Sequence, residues 1–294
     1  MRIAVIGAPG QLGADVVAAF EAAGHDVRGV GHDRIEVSSV ESVVAALEPY
    51  RPHAVVNAAA FHRVDECENR PDVAFRVNAV GAWNVAAVAS RLRAAVVYIS
   101  TDYVFSGTSP RAYGEDDLPE PGNVYGISKL AGEHATRAAC TRAIVVRTSG
   151  LFGIHPCRDK GGPNFVDLML KLAAQKGSVT VVSDEVLSPT YTRDLARAVV
   201  GLVESDKAGL YHVVNAGAVS WFDFAAAAFE EAGVKVELRR APPGAFPKKA
   251  PRPANSSLRS SRLAKTGVEA LRPWREALRD YLAERGNAAK KSAR

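Results

Sequence analysis

The chain has 294 residues, 47% of them apolar and 23% charged, with a net charge of +5. That composition describes a folded globular protein and excludes a disordered chain, a fibrous repeat or a small scaffold that needs staples. Three cysteines without paired spacing, Cys67, Cys140 and Cys157, exclude a disulfide framework and a thiolate zinc site and predict a reducing compartment, the cytoplasm.

The opening run "MRIAVIG" is too short for a signal-peptide core, and no apolar segment reaches membrane-spanning length, so no membrane partner is expected. The run predicts a strand over 2–7, followed by a helix over 11–23. Strands over 26–30, 54–59, 95–100 and 143–148 follow, with helices over 40–48, 71–92 and 124–139 between them. Apolar β-branched strands alternating with amphipathic helices predict an α/β fold, a doubly wound parallel sheet of the Rossmann kind covered on both faces. Past residue 150 the pattern loosens into helices at 164–175, 191–204, 221–233 and 273–284, a strand at 210–215 and a Pro-rich loop at 242–253. The expected division is a dinucleotide-binding domain over 1–150 and a smaller C-terminal substrate lobe over 151–294, with about 180–215 returning to the Rossmann core.

The first strand runs into "GAPGQLG", which spaces Gly7, Gly10 and Gly13 across a strand-to-helix junction. Glycines there permit a tight turn and let backbone approach a phosphate, while the helix start presents N–H groups to the anion. A dinucleotide site follows. After the second strand, an acid would read the ribose of NAD and basic groups the phosphate of NADP. The sequence places His32 and Arg34 there with no acid ending the strand, which favours NADP(H) and leaves NAD open.

After the fourth strand, "VVYISTDYVFSG" sets Ser100 and Thr101 at a carboxyl end, where ligands of such sheets bind. "NVYGISKL" then spaces Tyr125 and Lys129 four apart, on one helix face. A lysine charge beside a phenol favours the phenolate, so Lys129 is expected to lower the Tyr125 pKa towards neutrality. The set predicts hydride transfer at a carbonyl: Tyr125 passes the proton, Thr101 or Ser100 steadies the oxygen, and Lys129 holds the nicotinamide ribose. Residues 239–262 carry seven Lys/Arg and no acid, yet without aromatic interleaving, so a small phosphorylated ligand is expected and no nucleic acid. "FHRVDECEN" fits no metal-ligand spacing, and no metal is expected. "GIHPCRDKGG" reads as a substrate-side loop, since nothing supplies a third partner to His155 and Cys157.

These motifs, with "VVNAAAFHRVDECE", "RVNAVG", "VVRTSGLFG", "SPTYTRDLA", "GLYHVVNAG" and "PRPANSSL", resemble the extended short-chain dehydrogenases, and within them the dTDP-4-dehydrorhamnose reductases. The resemblance implies an NADPH-dependent reductase of a 4-keto sugar nucleotide, with Tyr125, Lys129 and Thr101 catalytic and Asp102 beside the substrate. It implies that Gly10, Gln11 and Leu12 cover the pyrophosphate, that Ala60, Phe61 and His62 contact the cofactor, and that Glu36 and Val37 sit on the adenine side. Arg252 and Asn255 match a segment near the sugar-nucleotide pocket. Gly150 stands where those reductases carry a tryptophan against the sugar, so the sugar itself is left open. A homodimer is compatible with the family.

Two alternatives stay open at this point. A nucleotide-sugar epimerase would reuse the same Tyr and Lys; a dehydratase would not, because relatives of that kind carry Glu where this chain has Tyr103. A non-catalytic NADP-binding subunit, resembling the regulatory subunit of methionine adenosyltransferase, would keep the fold without turnover.

Overall fold

In a computed structural model of the chain, residues 1–156, 162–242, 244–246 and 249–292 are described; Cys157 lies outside them. The elements run β1 (Arg2–Ile6), α1 (Gln11–Ala22), β2 (Asp26–Val30), α2 (Val40–Leu47), β3 (Ala54–Asn57), α3 (Val64–Asn69), α4 (Pro71–Phe75), α5 (Gly81–Arg91), β4 (Ala95–Thr101), α6 (Val124–Ala139) and β5 (Ala143–Thr148). The second half continues with β6 (Leu151–Phe152), α7 (Phe165–Gln175), β7 (Ser178–Val181), β8 (Val186–Leu187), β9 (Thr190–Tyr191), α8 (Thr192–Ser205), β10 (Gly209–His212), β11 (Val219–Ser220), α9 (Trp221–Glu231), β12 (Glu237–Arg240) and α10 (Trp274–Ser292). Among the described residues no helix is long and apolar enough to cross a membrane.

Six strands form one parallel sheet in the order β10-β5-β4-β3-β1-β2. Their unbroken apolar runs follow from burial on both faces. Ile3 and Val5 of β1 join Val56, Val97 and Val146 beneath α1 and α8. Ala4 and Ile6 point the other way, onto a cluster with Val43, Leu47, Val85 and Val88 of α2 and α5. The chain leaves β1 towards β2 and then returns to place β3 on the other side. That reversal opens a crevice at the carboxyl ends of β1 and β3, where ligands of open α/β sheets bind.

A separate aromatic core holds the rest of the second half. Phe152, Tyr191, Phe224 and Tyr281 pack with Met169, Leu170 and Leu278, joining α7, α9 and α10. Between the two cores the chain crosses back: α8 lies on the sheet's core and β10 forms its edge.

The expected single helix over 71–92 is broken into α4, a π-helical turn at Arg76–Val80, and α5. The inserted residue rotates the following side chains, and π-turns of this kind gather at functional sites. Here it buries Asn78 completely. The strand expected over 210–215 stops at His212, and Asn215 instead uses its side chain to accept the Tyr191 amide at 2.8 Å and to donate to Asp194 at 2.9 Å.

Candidate active site

A cavity of about 660 Å³ lies over the crevice. The glycine turn forms one wall, with Gly7, Gly10, Gln11, Leu12 and Gly13. Gly7 has φ +83°, and a Cβ there would lie 3.1 Å from the backbone after β3. A Cβ on Gly13 would sit 2.0 Å from the Gly7 carbonyl oxygen, so the helix packs backbone to backbone on its own turn. Helix α1 starts at Gly10 with no side-chain cap. Its first-turn N–H groups therefore open towards the cavity, the arrangement that receives an anion.

The chain after β3 forms the next wall. Ala60 and His62 line the cavity, whereas Phe61 is fixed from behind. Asn78 accepts the Phe61 amide at 2.8 Å and donates to its carbonyl at 2.9 Å and to Ser128 Oγ at 2.9 Å. The buried amide thus pins the loop to α6. Asn78→Ala is expected to cost about 1–3 kcal/mol in denaturant unfolding, because it strands the half-buried amide and carbonyl of Phe61. Unchanged stability would show that the loop is held by other means.

On the adenosine side the structure separates residues that the sequence grouped. His32 lines the cavity with Asp33. Arg34 does not: its side chain is 74% exposed and turns to Asp33 at 3.7 Å. The Glu36 carboxylate accepts the Ser38 amide at 3.0 Å and the Ser38 hydroxyl at 2.8 Å, which hold it below the usual carboxylate range. Val37 is buried in the core beside α2 and α5.

The chemical groups stand on the far wall, where Thr101, Asp102, Tyr125 and Lys129 line the same space as the glycine turn. Helix α6 is set by both ends of its first turn. Asn123 caps it by accepting the Gly126 amide at 2.8 Å, and Glu68 of α3 accepts the Val124 amide at 2.8 Å. Tyr125 is half-buried in the cleft. Burial pushes its phenol above the ordinary value, a hydrogen-bonding contact with Thr101 pulls it back, and the Asp102 charge raises it again. Lys129 is wholly buried. Its Nζ donates to the Ile99 carbonyl at 2.6 Å and lies 4.0 Å from the centre of the Tyr98 ring. Burial pushes the ammonium down to about 7, and the Glu133 charge raises it. The expectation that Lys129 lowers the Tyr125 pKa is therefore corrected: desolvation governs both groups, and the lysine is turned to β4 rather than to the phenol.

The two strand-end hydroxyls also part company. Thr101 donates to Asp102 at 3.0 Å and accepts the Tyr103 amide at 3.2 Å, keeping its oxygen at the cavity wall. Ser100 also lines the cavity, but its hydroxyl donates to a different carboxylate, the buried one of Glu133. Asp102 collects two further hydroxyls, Ser149 at 2.7 Å and Ser256 at 2.6 Å. Burial raises its carboxyl pKa and these donors lower it. Both serines lie in motifs that carry the resemblance, "VVRTSGLFG" and "PRPANSSL", but only their convergence in space shows that they meet at Asp102.

The basic loop behaves otherwise than expected. Arg252 lies outside the cavity lining and pairs with Asp65 at 3.0 Å. Asn255 donates to the Ser109 carbonyl at 2.9 Å and accepts the Ser257 amide at 3.1 Å, tying loop to loop away from the lining. The cavity instead sees Pro253 and Ser256. Gly150 does line it, with φ +52°, and a Cβ there would meet Leu187 Cδ1 at 2.4 Å. Leu187 and the facing pair Phe165 and Trp221, with ring centres 4.4 Å apart, supply the apolar wall. His155 lies 3.6 Å from Asp15, outside this group. Among the described residues, no three His, Cys, Asp or Glu gather as metal ligands.

Residues 1–286 match the family described as RmlD substrate binding domain. The chain belongs to this family. It is 41% identical to the spore coat polysaccharide biosynthesis protein SpsK of Bacillus subtilis, over 98% of this chain and 99% of that one. It is 40% identical to the dTDP-4-dehydrorhamnose reductase of Mycolicibacterium smegmatis, over 96% and 85%. Among solved structures, the dTDP-4-dehydrorhamnose reductase of Bacillus anthracis in complex with NADP superposes with TM-score 0.91 at 35% identity, covering 96% of this chain and 99% of that one. Nucleotide-sugar epimerases share the fold, as the UDP-glucose 4-epimerase of Thermus thermophilus does at 21% identity and TM-score 0.82. The RmlD family members thus include the reductases that the motifs resemble.

Proposed function

We propose that this chain is an NADPH-dependent reductase of a 4-keto sugar nucleotide, of the dTDP-4-dehydrorhamnose reductase kind. The observation that carries the reading is the sharing of one cavity by the glycine turn and by Thr101, Tyr125 and Lys129. The dTDP-4-dehydrorhamnose reductases at 34% and 40% identity and the related enzyme with NADP support it.

The residues present fit a dinucleotide. The uncapped start of α1 and the backbone cradle of Gly7, Gly10 and Gly13 suit a pyrophosphate, with Gln11 and Leu12 beside it. Ala60 and His62 flank the path towards nicotinamide, and His32 faces the adenosine end. NADPH, when bound, supplies the hydride that reduces the carbonyl carbon. Tyr125 holds the proton that the substrate oxygen takes up. Its raised pKa keeps that proton in place at neutral pH until negative charge develops on the oxygen. Thr101 steadies the oxygen by turning its one hydroxyl proton from the Asp102 carboxylate to the substrate. Lys129, which lines the same cavity, would hold the ribose. The apolar wall of Leu187, Phe165 and Trp221 excludes water and receives the sugar nucleotide.

In this reading the first 150 residues with α8 and β10 carry the cofactor, and the remaining second-half elements carry the substrate. Two buried free thiols, Cys67 and Cys140, agree with a cytoplasmic location.

Oxidation of NADPH with a panel of dTDP-, UDP- and GDP-linked 4-keto sugars tests the proposal. Turnover of a dTDP-linked 4-keto sugar, faster with NADPH than with NADH, is expected. Tight NADPH binding with no turnover of any member would replace the reductase with a binding subunit.

A further inference from the structure

Tyr125, Lys129 and Glu133 recur every fourth residue on one face of α6, yet the third is absent from the cavity lining. It is 3% exposed and held by three donors. Arg147 of β5 donates Nε to one carboxylate oxygen at 2.8 Å and Nη2 to the other at 2.7 Å, and Ser100 of β4 donates to the first. Such a bidentate, fully desolvated arrangement fixes both the place and the charge of the carboxylate. A buried ion pair is a costly device for stability alone, since apolar side chains of like size serve as well.

Lys129 presents the complementary problem. An ammonium with 1% exposure has one backbone carbonyl and one ring face, and among the described residues no carboxylate stands within ion-pair distance of it. The Ile99 carbonyl and the Tyr98 ring of β4 meet it directly, and the charged group that acts on it is Glu133 of α6, itself paired with Arg147 of β5. Burial would discharge it, and the one resolved influence in the other direction is Glu133.

We propose that Glu133 is a positioning residue for Lys129: a fixed buried anion, one helical turn further on, that keeps the ammonium charged without touching it. Ser100 and Arg147 serve it by locking the carboxylate, which gives Ser100 its place in the site. The inference rests on the reading of Lys129 as the cation beside the cofactor, and it is tested by a measurement that does not need turnover.

The sign is fixed by the chemistry. Lys129 is charged below its midpoint near pH 7 and neutral above it, so removing the anion moves the midpoint down. In the protein without ligands, the ¹³Cε resonance of Lys129, assigned by its loss in Lys129→Met, reports the midpoint directly. Glu133→Gln is expected to lower it by about one unit, the size of effect that a neighbouring opposite charge exerts. That is about tenfold less ammonium at any pH well above the midpoint. Glu133→Asp keeps the charge and is expected to stay near the parent value. Because Glu133→Gln leaves Arg147 unpaired, the doubly neutral Glu133→Gln/Arg147→Gln provides a second reading, with a downward shift that is smaller because the opposing Arg147 charge is removed as well. In turnover, the alkaline limb of kcat/KM moves to lower pH by the same amount. An unmoved midpoint in the Gln variants, or an equal fall in Glu133→Asp, overturns the proposal. Absence of turnover in the parent protein would sink the reductase reading and leave the resonance shift to judge this one.

Discussion

Tyr125→Phe should lose about 10²–10⁴-fold in kcat with a 4-keto sugar nucleotide while binding NADPH as the parent does. The range is what a positioned general acid contributes to a proton transfer. The phenol hydroxyl has no structural duty that would confound the result. Among the described residues, its contact is with Thr101, at the cavity wall. The ring, which meets Tyr103 edge to face at 5.8 Å, remains in the variant. Thermal unfolding should therefore be almost unchanged. Turnover within threefold of the parent would remove Tyr125 from the chemistry and reopen the identity of the acid.

Gly13→Ala should weaken NADPH binding by at least about tenfold and lower stability by about 1–3 kcal/mol, the usual cost of an added carbon in a packed site. The new Cβ would lie 2.0 Å from the Gly7 carbonyl oxygen, 2.7 Å from its carbon and 2.8 Å from Ala8 Cα. These are backbone atoms, so no rotamer change relieves the clash; either the turn or α1 must move. Both belong to the proposed pyrophosphate cradle, and displacement there spoils the register of N–H groups with the anion. Titration of NADPH fluorescence reads the affinity, and urea unfolding reads the stability. Parental affinity in the variant would mean that the cradle does not hold the cofactor.

The central sheet was legible because its physics is local to each strand. "RIAVI", "AVVN" and "AIVVRT" each hold an unbroken apolar run, Ile3 to Ile6, Ala54 to Val56 and Ala143 to Val146, as a strand buried on both faces needs. β6, β8, β9 and β11 are two residues long, too short to show any period. β12 reads "ELRR" and is mostly exposed; it is a strand because its backbone pairs with β7, a fact that no side-chain pattern announces. The π-turn that buries Asn78 is equally silent in the residues.

Within the candidate site, spacing foretold which side chains share a wall but not which way charge is tuned. Four-residue spacing put Tyr125 and Lys129 on one face. The direction of each shift depends on what surrounds them, and the carbonyl of Ile99 and the ring of Tyr98 come from another strand. The partner of Arg252 was equally hidden from the sequence. A basic loop invites an anion, but the anion it meets is Asp65 of α3, 187 positions earlier in the chain (252 − 65). Ser100 and Thr101 are neighbours in sequence and both line the cavity, yet their hydroxyls go to different carboxylates, Glu133 and Asp102, which spacing alone could not say.

The three hydroxyls on Asp102 carry a consequence for assembly. One comes from residue 101, one from residue 149 and one from residue 256, so the reaction centre is stitched together from distant stretches of polypeptide. An amino-terminal fragment that ended at the close of the central sheet could keep its glycine turn and still lack the clasp that aims its threonine. Competence for chemistry thus arrives late in biosynthesis, when the last hundred residues have docked.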